Sequence, residues 1–515
     1  MENEKVNRTV KSVSIVMVCT LLLKGLGFIR ELVLSFFFGT SYVSDAYLIS
    51  LTIPSVIFEF VGVGMTTCFI PIYYKIGKEG EIKDAYNFTN SVITIVLFFS
   101  TICILGICLF PSQIVSLFAS GFTGETMDLA CLLTKINIFS LILSTYIYVL
   151  CPFLHANNRF ITPAVSAVIS SALVILSIVI GAKTELIVLG LGNFLAIFIR
   201  LLFLVPDARK SGLKLRLRFK KNKYIKEFVT MMLPVIIGTS INDINVLIDR
   251  TLASRLTVGG IAALSYSNSI IQLFIGGIVQ SILTVLYPKL TSYLNKNKYD
   301  KASEECNYLI NLFLSFLIPI TFILVLYGET IISFLFLRGA FDLEALKLTS
   351  EALVFYSLGL LFIGIREVLS RVYYGIGDTK TPMVNSSIGF IINVILNFWL
   401  SSFMGIKGLA LATSISAGVT VVLLVIKLKK NQLICIKIDI CEALKILIAA
   451  WVSFLIFFWV FRQKTSQGVL IGLLMISISL VFYVISLFVL KTKVSYNMIF
   501  MLKKIMGNKD CGKKK

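Results

Sequence analysis

Long apolar stretches alternate with short polar ones along this chain. Fourteen of the apolar stretches have the length of a transmembrane helix, because about twenty residues at about 1.5 Å each cross a hydrocarbon core of roughly 30 Å. We therefore predict an all-α polytopic membrane protein. The predicted spans are 12–38, 46–74, 85–110, 126–154, 160–180, 186–205, 228–252, 261–286, 308–326, 353–373, 381–403, 406–426, 443–460 and 469–490.

Basic residues follow the topology of these spans. Both termini and the loops after the even-numbered spans carry most of the Lys and Arg residues, whereas the loops after the odd-numbered spans carry few. Because cytoplasmic loops of membrane proteins are enriched in Lys and Arg, we expect both termini to be cytoplasmic, which agrees with an even number of spans. The basic residues of the odd-numbered loops are Lys183, Arg255, Arg338, Lys407, Arg462 and Lys464.

Two landmarks recur along the chain and predict an internal repeat. Pro71 near the end of the second span corresponds to Pro288 at the close of the eighth at an offset of 217, and Thr162-Pro163 corresponds to Thr381-Pro382 at 219. The repeat predicts two parallel six-helix lobes, a transporter architecture whose substrate site lies between the halves. The predicted divisions are an N-terminal lobe at 1–206, a basic cytoplasmic linker at 207–226, a C-terminal lobe at 227–430, two extra transmembrane helices at 431–491 and a basic cytoplasmic tail at 492–515.

Composition excludes several functional classes. A chain with 57% hydrophobic residues and a mean hydropathy of +0.91 is a membrane protein, and its net charge of +21 lies mainly in loops, so we expect no nucleic-acid partner. The ten cysteines form no C-x-x-C pair and there is one histidine, so no metal site is expected. No predicted outer loop exceeds roughly twenty residues, which leaves no room for a catalytic domain, and we expect no enzyme activity. In the linker, Leu and Phe alternate with Lys and Arg, which suits either a segment on an anionic leaflet or a solvated loop.

Charged residues within the first span are the strongest indication of a functional site. Lys24 and Arg30 lie in an apolar run, where a charge costs at least about 2.5–3.5 kcal/mol and normally faces a protein interior or a watery cavity. Gly25 and Gly27 permit a bend that would aim both cations at one space. Because side chains adjacent in a helix do not face one another, we expect Arg30 and Glu31 to pair across helices. A further membrane-depth cation is Arg250, and such cations suit an anionic head group.

A second polar group lies in spans eleven and twelve. Asn393 and Asn397 are one helical turn apart, and with Thr413 and a carboxylate from Asp243 or Asp249 they offer oxygen ligands for a monovalent cation. The alternative is interhelical hydrogen bonding, which is common for Asn and Thr in membrane bundles.

Short motifs stand at recognisable spacings in this sequence. In the first two spans they are Leu26-Gly-Phe-Ile-Arg30-Glu31, Phe38-Gly39, Ser44-Asp45-Ala46-Tyr47, Ile53-Pro54 and Phe69-Ile-Pro71, and later ones are Asp249-Arg250 and Gly377-Asp378-Thr-Lys-Thr-Pro382. In these motifs and in its fourteen predicted spans, the chain resembles the MurJ/MviN family of lipid II flippases, within the multidrug/oligosaccharidyl-lipid/polysaccharide exporter superfamily.

This resemblance implies a multi-pass protein of the bacterial cytoplasmic membrane that moves undecaprenyl-pyrophosphate-linked peptidoglycan precursor outwards by alternating access. Lys24 and Arg30 match the family's two basic positions on the first helix, and Asp45 matches its acidic position at the start of the second. Spans thirteen and fourteen would form the lipid-tail groove. No cofactor is implied, and a sodium ion, held by the residues of spans seven, eleven and twelve named above, or the membrane potential would supply the driving force. Implied partners are the lipid-linked glycan, membrane phospholipids and other cell-wall synthesis proteins.

Two positions depart from the family pattern. Phe58 in the second span and Ser269 in the eighth stand where the family usually has basic residues. Because these replacements make the cavity less cationic, a flippase for another polyprenyl-linked glycan, such as a capsule or exopolysaccharide unit, is an alternative function. A drug or metabolite antiporter of the same superfamily is a further alternative, although such proteins typically have twelve spans.

Overall fold

Every regular element in the described part of the protein is helical. The computed structural model describes residues 2–79, 82–217, 223–431, 434–436, 439–465, 469–493 and 495. The helices are α1 (Glu2–Phe38), α2 (Tyr42–Gly64), α3 (Ile70–Glu79), α4 (Ile82–Leu109), α5 (Pro111–Phe118), α6 (Gly124–Ile138), α7 (Ser140–Ala156), α8 (Ile161–Lys183), α9 (Ile187–Lys210), α10 (Lys223–Leu256), α11 (Gly260–Phe274), α12 (Gln280–Asn295), α13 (Tyr299–Phe336), α14 (Leu343–Gly375), α15 (Lys380–Met404), α16 (Ile406–Asn431), α17 (Ile440–Thr465) and α18 (Val469–Val489).

The predicted all-α membrane architecture is confirmed, and each predicted span overlaps one helix or a consecutive run of helices. In the described residues, ten helical stretches are long and apolar enough to cross a membrane. The number is eleven if α6 and α7, which meet at a 43° bend, together form one span. Because α1, α10 and α17 lie outside this set, the number of fourteen spans stays a prediction.

Two spans contain a π-helical turn. Met65–Phe69 joins α2 to α3, and Ile275–Val279 joins α11 to α12. These turns lie within the predicted second and eighth spans, which are related by the 217-residue repeat. A π-helical turn adds one residue to a helical turn and so changes the direction of the side chains that follow it.

The chain forms two compact units. The first contains residues 1–266 and 338–342, and the second contains residues 267–337 and 343–515. The boundary at Tyr266 lies inside α11, whereas the repeat predicts lobes that divide at the linker 207–226, before α10. Contacts from α10 and from the start of α11 to α2 explain why both belong to the first unit, and they involve Arg250 and Asp45.

The described part of the predicted linker is fixed to α4. Asn90 donates from Nδ2 to the carbonyl of Lys214 at 3.0 Å and accepts at Oδ1 from the amide of Arg216 at 3.1 Å. Leu213 is buried beside this contact, whereas the side chains of Lys214 and Arg216 are exposed. In the second unit, Asn307 of α13 donates to the carbonyl of Cys435 at 3.0 Å. Asn90 and Asn307 are 217 residues apart, which is the offset of Pro71 and Pro288.

In the second unit, an ion pair closes the ends of the last two helices. Lys493, after α18, donates from Nζ to Asp439, before α17, at 2.7 Å, and its amide donates to the buried carboxylate of Glu442 at 2.5 Å. The hydrogen bond from Lys493 holds the pKa of Asp439 below its usual value and raises the pKa of Lys493. These contacts fix α17 and α18 as a hairpin, which packs on α13 through Tyr483.

The Asn90 contact predicts how readily trypsin cleaves the linker. Replacing Asn90 with Ala removes both hydrogen bonds that hold residues 214–216, so we expect cleavage after Lys214 and Arg216 to become several-fold faster. The measurement is limited proteolysis of the membrane-embedded protein followed by mass spectrometry. Asn87→Ala, one turn earlier on α4, is the control and should leave the rate unchanged. Equal cleavage of the Asn90 variant and the unmodified protein would show that the contact does not order the linker.

Candidate functional site

Arg30 and Glu31 form an ion pair within α1. Arg30 Nη2 donates to Glu31 Oε1 at 2.7 Å, and the side chain of Glu31 is buried whereas that of Arg30 is 37% exposed. The expectation that Arg30 and Glu31 pair across helices is therefore wrong. The side chains of adjacent helical residues leave the backbone in different directions, but the arginine side chain is long enough to reach the carboxylate of Glu31.

Three buried polar atoms in this region have no hydrogen-bond partner among the described residues. They are Arg30 Nε, Glu31 Oε2 and the hydroxyl of Tyr47, which lies on α2 within electrostatic range of both charged groups. Buried polar atoms in folded proteins are nearly always hydrogen-bonded. A donor, an acceptor and a hydroxyl that lack protein partners at one place indicate a site for a polar ligand.

Lys24 lies on the same helix but faces a different direction. The helix α1 runs without interruption through Gly25 and Gly27, and six residues at about 100° each place Lys24 and Arg30 about 120° apart around it. The side chain of Lys24 is exposed. Its neighbours on α1 line an open, mainly apolar cavity of about 310 Å³, formed by Val18, Leu21, Leu22, Gly25, Leu26 and Ile29.

Asp45 is a structural anchor in this conformation. Its carboxylate is buried and accepts hydrogen bonds from the amides of Gly259 at 2.7 Å and Ala262 at 2.8 Å. These amides lie at the start of α11, where unpaired N–H groups and the helix dipole favour a carboxylate. Gly259 has a φ of +80°, and a side chain there would collide with the carbonyl of Thr40. The approach of α2 to α11 therefore requires glycine at this position.

Loop contacts next to Asp45 hold the same end of the first unit together. The carbonyl of Gly39, which has a φ of +55°, accepts from the hydroxyls of Ser44 at 2.8 Å and Tyr266 at 2.9 Å. The carbonyl of Phe36 accepts from the amide of Ala340 at 2.8 Å. The end of α1, the start of α2, the start of α11 and the segment 338–342 are thereby joined by hydrogen bonds.

Arg250 joins α10 to α2. Its Nη1 donates to the carbonyl of Leu48 at 2.8 Å and to the hydroxyl of Thr52. Asp249 takes part in a polar interaction, and the side chain of Asp243 lies outside the described residues. One stretch of α2, residues 45–52, thus holds Asp45 and the partners of Arg250, and its Tyr47 lies within electrostatic range of Arg30.

The predicted ion-binding residues of spans eleven and twelve contact one another. Asn397 donates to Asn393 Oδ1 at 2.8 Å, and Asn393 donates to the hydroxyl of Thr413 at 3.4 Å. The first bond lies within α15, one helical turn apart, and the second joins α15 to α16 as an interhelical hydrogen bond. Asn393, Asn397 and Thr413 belong to the second unit, whereas Asp243 and Asp249 belong to the first. Among the described residues there is no cluster of three or more His, Cys, Asp or Glu side chains that suits a metal ion.

Sequence reasoning missed two polar residues of the first unit. Tyr47 appears in the sequence only within the Ser44-Asp45-Ala46-Tyr47 motif, and its hydroxyl, which has no partner among the described residues, is visible only in three dimensions. Arg200 did give a signal, because it interrupts the apolar run 186–205 at membrane depth. In the structure Arg200 lies on α9, and its guanidinium is within electrostatic range of the Cys151 thiol on α7.

The contacts of Asp45 predict a loss of stability when it is replaced. Asp45→Ala leaves two buried amides unpaired, at about 1–3 kcal/mol each, so we expect the thermal unfolding midpoint of the purified protein to fall by several degrees. Asp45→Asn keeps one acceptor oxygen, so its unfolding midpoint should lie between those of Asp45→Ala and the unmodified protein. Ser55→Ala, on the exposed side of α2, is the control. An unchanged midpoint for Asp45→Ala would contradict the anchoring role.

Comparisons with known proteins agree with this architecture. The family described as "Lipid II flippase MurJ" matches residues 34–502. The probable lipid II flippase of Borreliella burgdorferi is 26% identical over 458 residues, which covers 87% of this chain and 88% of that protein. The lipid II flippase of Thermosipho africanus is 29% identical over 411 residues, covering 78% of this chain and 82% of that protein.

Solved structures show the same relationship. A lipid II flippase MurJ in an inward closed conformation superimposes with a TM-score of 0.81 at 26% identity, covering 92% of this chain and 97% of that one. An inward-facing multidrug transporter of the MATE family gives a TM-score of 0.66 at 15% identity, covering 82% of this chain and 98% of that one, which shows a shared fold alone. Because the family match spans nearly the whole sequence, the chain belongs to the lipid II flippase MurJ family.

Proposed function

We propose that this protein is a flippase that moves lipid II, the undecaprenyl-pyrophosphate-linked peptidoglycan precursor, across the bacterial cytoplasmic membrane by alternating access for cell-wall synthesis. The observation that carries the proposal is the half-exposed side chain of Arg30 on α1. Its Nε has no hydrogen-bond partner in the part of the chain that the structure describes, and neither does the nearby buried hydroxyl of Tyr47. Family membership and the match to a solved flippase structure support the same substrate.

The chemistry of the site suits an amphiphile with an acidic head group. A guanidinium offers a planar fork of donors that matches the oxygens of a phosphate group. Glu31 holds Arg30 in place, while the exposed Lys24 adds a second cation. The apolar cavity along α1 lies next to Lys24, so a head group at the cations would leave the polyprenyl chain on apolar surface.

The predicted site residues divide into two roles under this proposal. Lys24 and Arg30 bind the substrate, because their charged groups are exposed or half-exposed. Asp45 and Arg250 organise the site. The carboxylate of Asp45 accepts hydrogen bonds at the start of α11, and the guanidinium of Arg250 donates to α2. Alternating access needs contacts that close one end of the protein and can be broken, and hydrogen bonds to backbone groups such as those of Asp45 meet that need.

The finer topology is also part of the proposal. We infer fourteen spans with both termini in the cytoplasm, arranged as two parallel six-helix lobes followed by two helices. The distribution of Lys and Arg among the loops supports the orientation, and the equivalent contacts of Asn90 and Asn307 support the duplication. For the lipid-tail groove we propose α17 and α18, whose exposed apolar side chains include Trp451, Trp459 and Leu470.

The driving force has two candidates, a sodium ion and the membrane potential. Asn393 and Asn397 already bond to each other, so a sodium ion at this place would have to compete with that contact. Proteins that make and consume lipid-linked precursors are the expected functional partners.

Arg30 variants test the proposed substrate site. Arg30→Ala removes the phosphate-binding fork, so we expect about 10- to 100-fold weaker affinity for lipid II and failure to complement a flippase-depleted strain. Lysine at this position keeps the charge but loses the fork, and should restore part of the activity. The measurements are complementation, membrane abundance and binding of lipid II to the purified protein.

Arg255→Gln is the matched control, because Arg255 is an exposed arginine of the same unit that bonds Ser120. It should complement normally. Normal complementation by Arg30→Ala at equal abundance would refute the proposed site. Accumulation of a different lipid-linked glycan in depleted cells would favour the capsule or exopolysaccharide alternative.

A further inference from the structure

Arg200 occupies the interior side of a membrane-spanning helix. The exposed residues of α9 form one stripe that includes Leu191, Leu195 and Leu202. Nine residues at about 100° each place Arg200 on the opposite side of the helix from Leu191. On this inner side lie the buried Ala196 and Leu204. The guanidinium therefore points away from the lipid-facing stripe and into the first unit.

Three polar residues follow this inner side of α9 at intervals of seven. Asn193 and Asp207 have matching partners: Asn193 donates to Asn137 at 3.0 Å, and Asp207 accepts from Arg159 and from Thr162. Arg200 lies between Asn193 and Asp207 along the helix and differs from both in its polar contacts. The Cys151 thiol lies within electrostatic range of its guanidinium, and among the described residues its buried Nε has no hydrogen-bond partner.

The charge of Arg200 is not neutralised by direct contact. Across the part of the chain that the structure describes, no carboxylate lies within ion-pairing distance of its guanidinium. Both Arg200 and the exposed Glu59 lie within electrostatic range of Tyr148. A half-buried, unpaired guanidinium at membrane depth is costly, and such residues usually serve a ligand.

The surroundings of Arg200 also connect it to Phe58. The ring of Tyr148 packs against Phe58 with centroids 5.5 Å apart, and Phe58 stands where the family resemblance leads us to expect a basic residue. Arg200 thus brings a cation from α9 to the region in which α2 lacks one. Ser55 and Glu59 give α2 exposed polar side chains near this position, and the exposed Thr66 follows in the π-helical turn.

We propose that Arg200 is a substrate-binding residue of the first unit that contacts an oxyanion of the lipid-linked substrate, either a phosphate or a peptide carboxylate. The proposal rests on the function proposed above. It assigns this chain a cation site, separate from Arg30, that contributes to selection of the head group.

The binding experiment uses the full chain in lipid nanodiscs and three probes: lipid II, undecaprenyl pyrophosphate and soluble muramyl pentapeptide. We expect Arg200→Gln to bind lipid II about tenfold more weakly and Arg200→Lys to keep most of the affinity. A matching loss for undecaprenyl pyrophosphate identifies the phosphate as the contact, and a matching loss for muramyl pentapeptide identifies a carboxylate. Arg209→Gln, at the exposed end of α9, is the control and should bind all probes normally.

Thermal unfolding without ligand separates a binding role from a structural one. Because Arg200 has no carboxylate partner among the described residues, Arg200→Met should unfold at the same temperature as the unmodified protein or higher. Asp207→Asn, which breaks a real ion pair on the same side of α9, should unfold at a lower temperature. A midpoint for Arg200→Met as low as that of Asp207→Asn would make Arg200 a structural residue and overturn the proposal.

The outcomes also separate this proposal from the proposed function. If the unmodified protein binds lipid II and Arg200→Gln binds it equally well, the role of Arg200 is refuted while the flippase function stands. If the unmodified protein binds none of the three probes, the proposed function fails and the Arg200 proposal fails with it.

Discussion

The central physical constraint on this protein is the cost of keeping charges within apolar helices. Arg30 meets this cost in part through Glu31, which lies beside it on α1 and is buried. Within the described residues, the pair leaves Arg30 Nε, Glu31 Oε2 and the Tyr47 hydroxyl without hydrogen-bond partners. Stability alone would favour apolar residues at these positions, since buried ion pairs seldom repay their desolvation. The retained charges are therefore best explained by a ligand that completes their hydrogen bonding.

The start of α2 organises the first unit around these charges. Within residues 45–52, Asp45 holds the first turn of α11, Tyr47 lies beside Arg30, and Leu48 and Thr52 accept from Arg250. Successive positions at the start of α2 therefore interact with three different parts of the first unit: α11, α1 and α10. This explains why α10 and the beginning of α11 form one compact unit with the N-terminal helices, rather than following the boundary of the sequence repeat.

Much of the fold could be predicted from hydrophobic periodicity, because a span needs a long apolar run whatever its partners are. The importance of Arg30 could be predicted from the same pattern, since a charge in such a run is costly. Its pairing could not, because the choice between Glu31 and an acid on another helix depends on the rotamer of a long side chain. The anchoring role of Asp45 was also hidden, because Gly259 and Ala262 contribute only backbone amides, which carry no sequence signal.

The central claim is that the cations of α1 serve the head group of lipid II. Depletion of the protein in its host, followed by measuring which lipid-linked precursor accumulates on each leaflet, tests it most directly. The account predicts that lipid II accumulates on the cytoplasmic leaflet and that its appearance on the outer leaflet falls as the protein is lost. Unchanged appearance of lipid II on the outer leaflet, with another lipid-linked glycan retained inside, would contradict it.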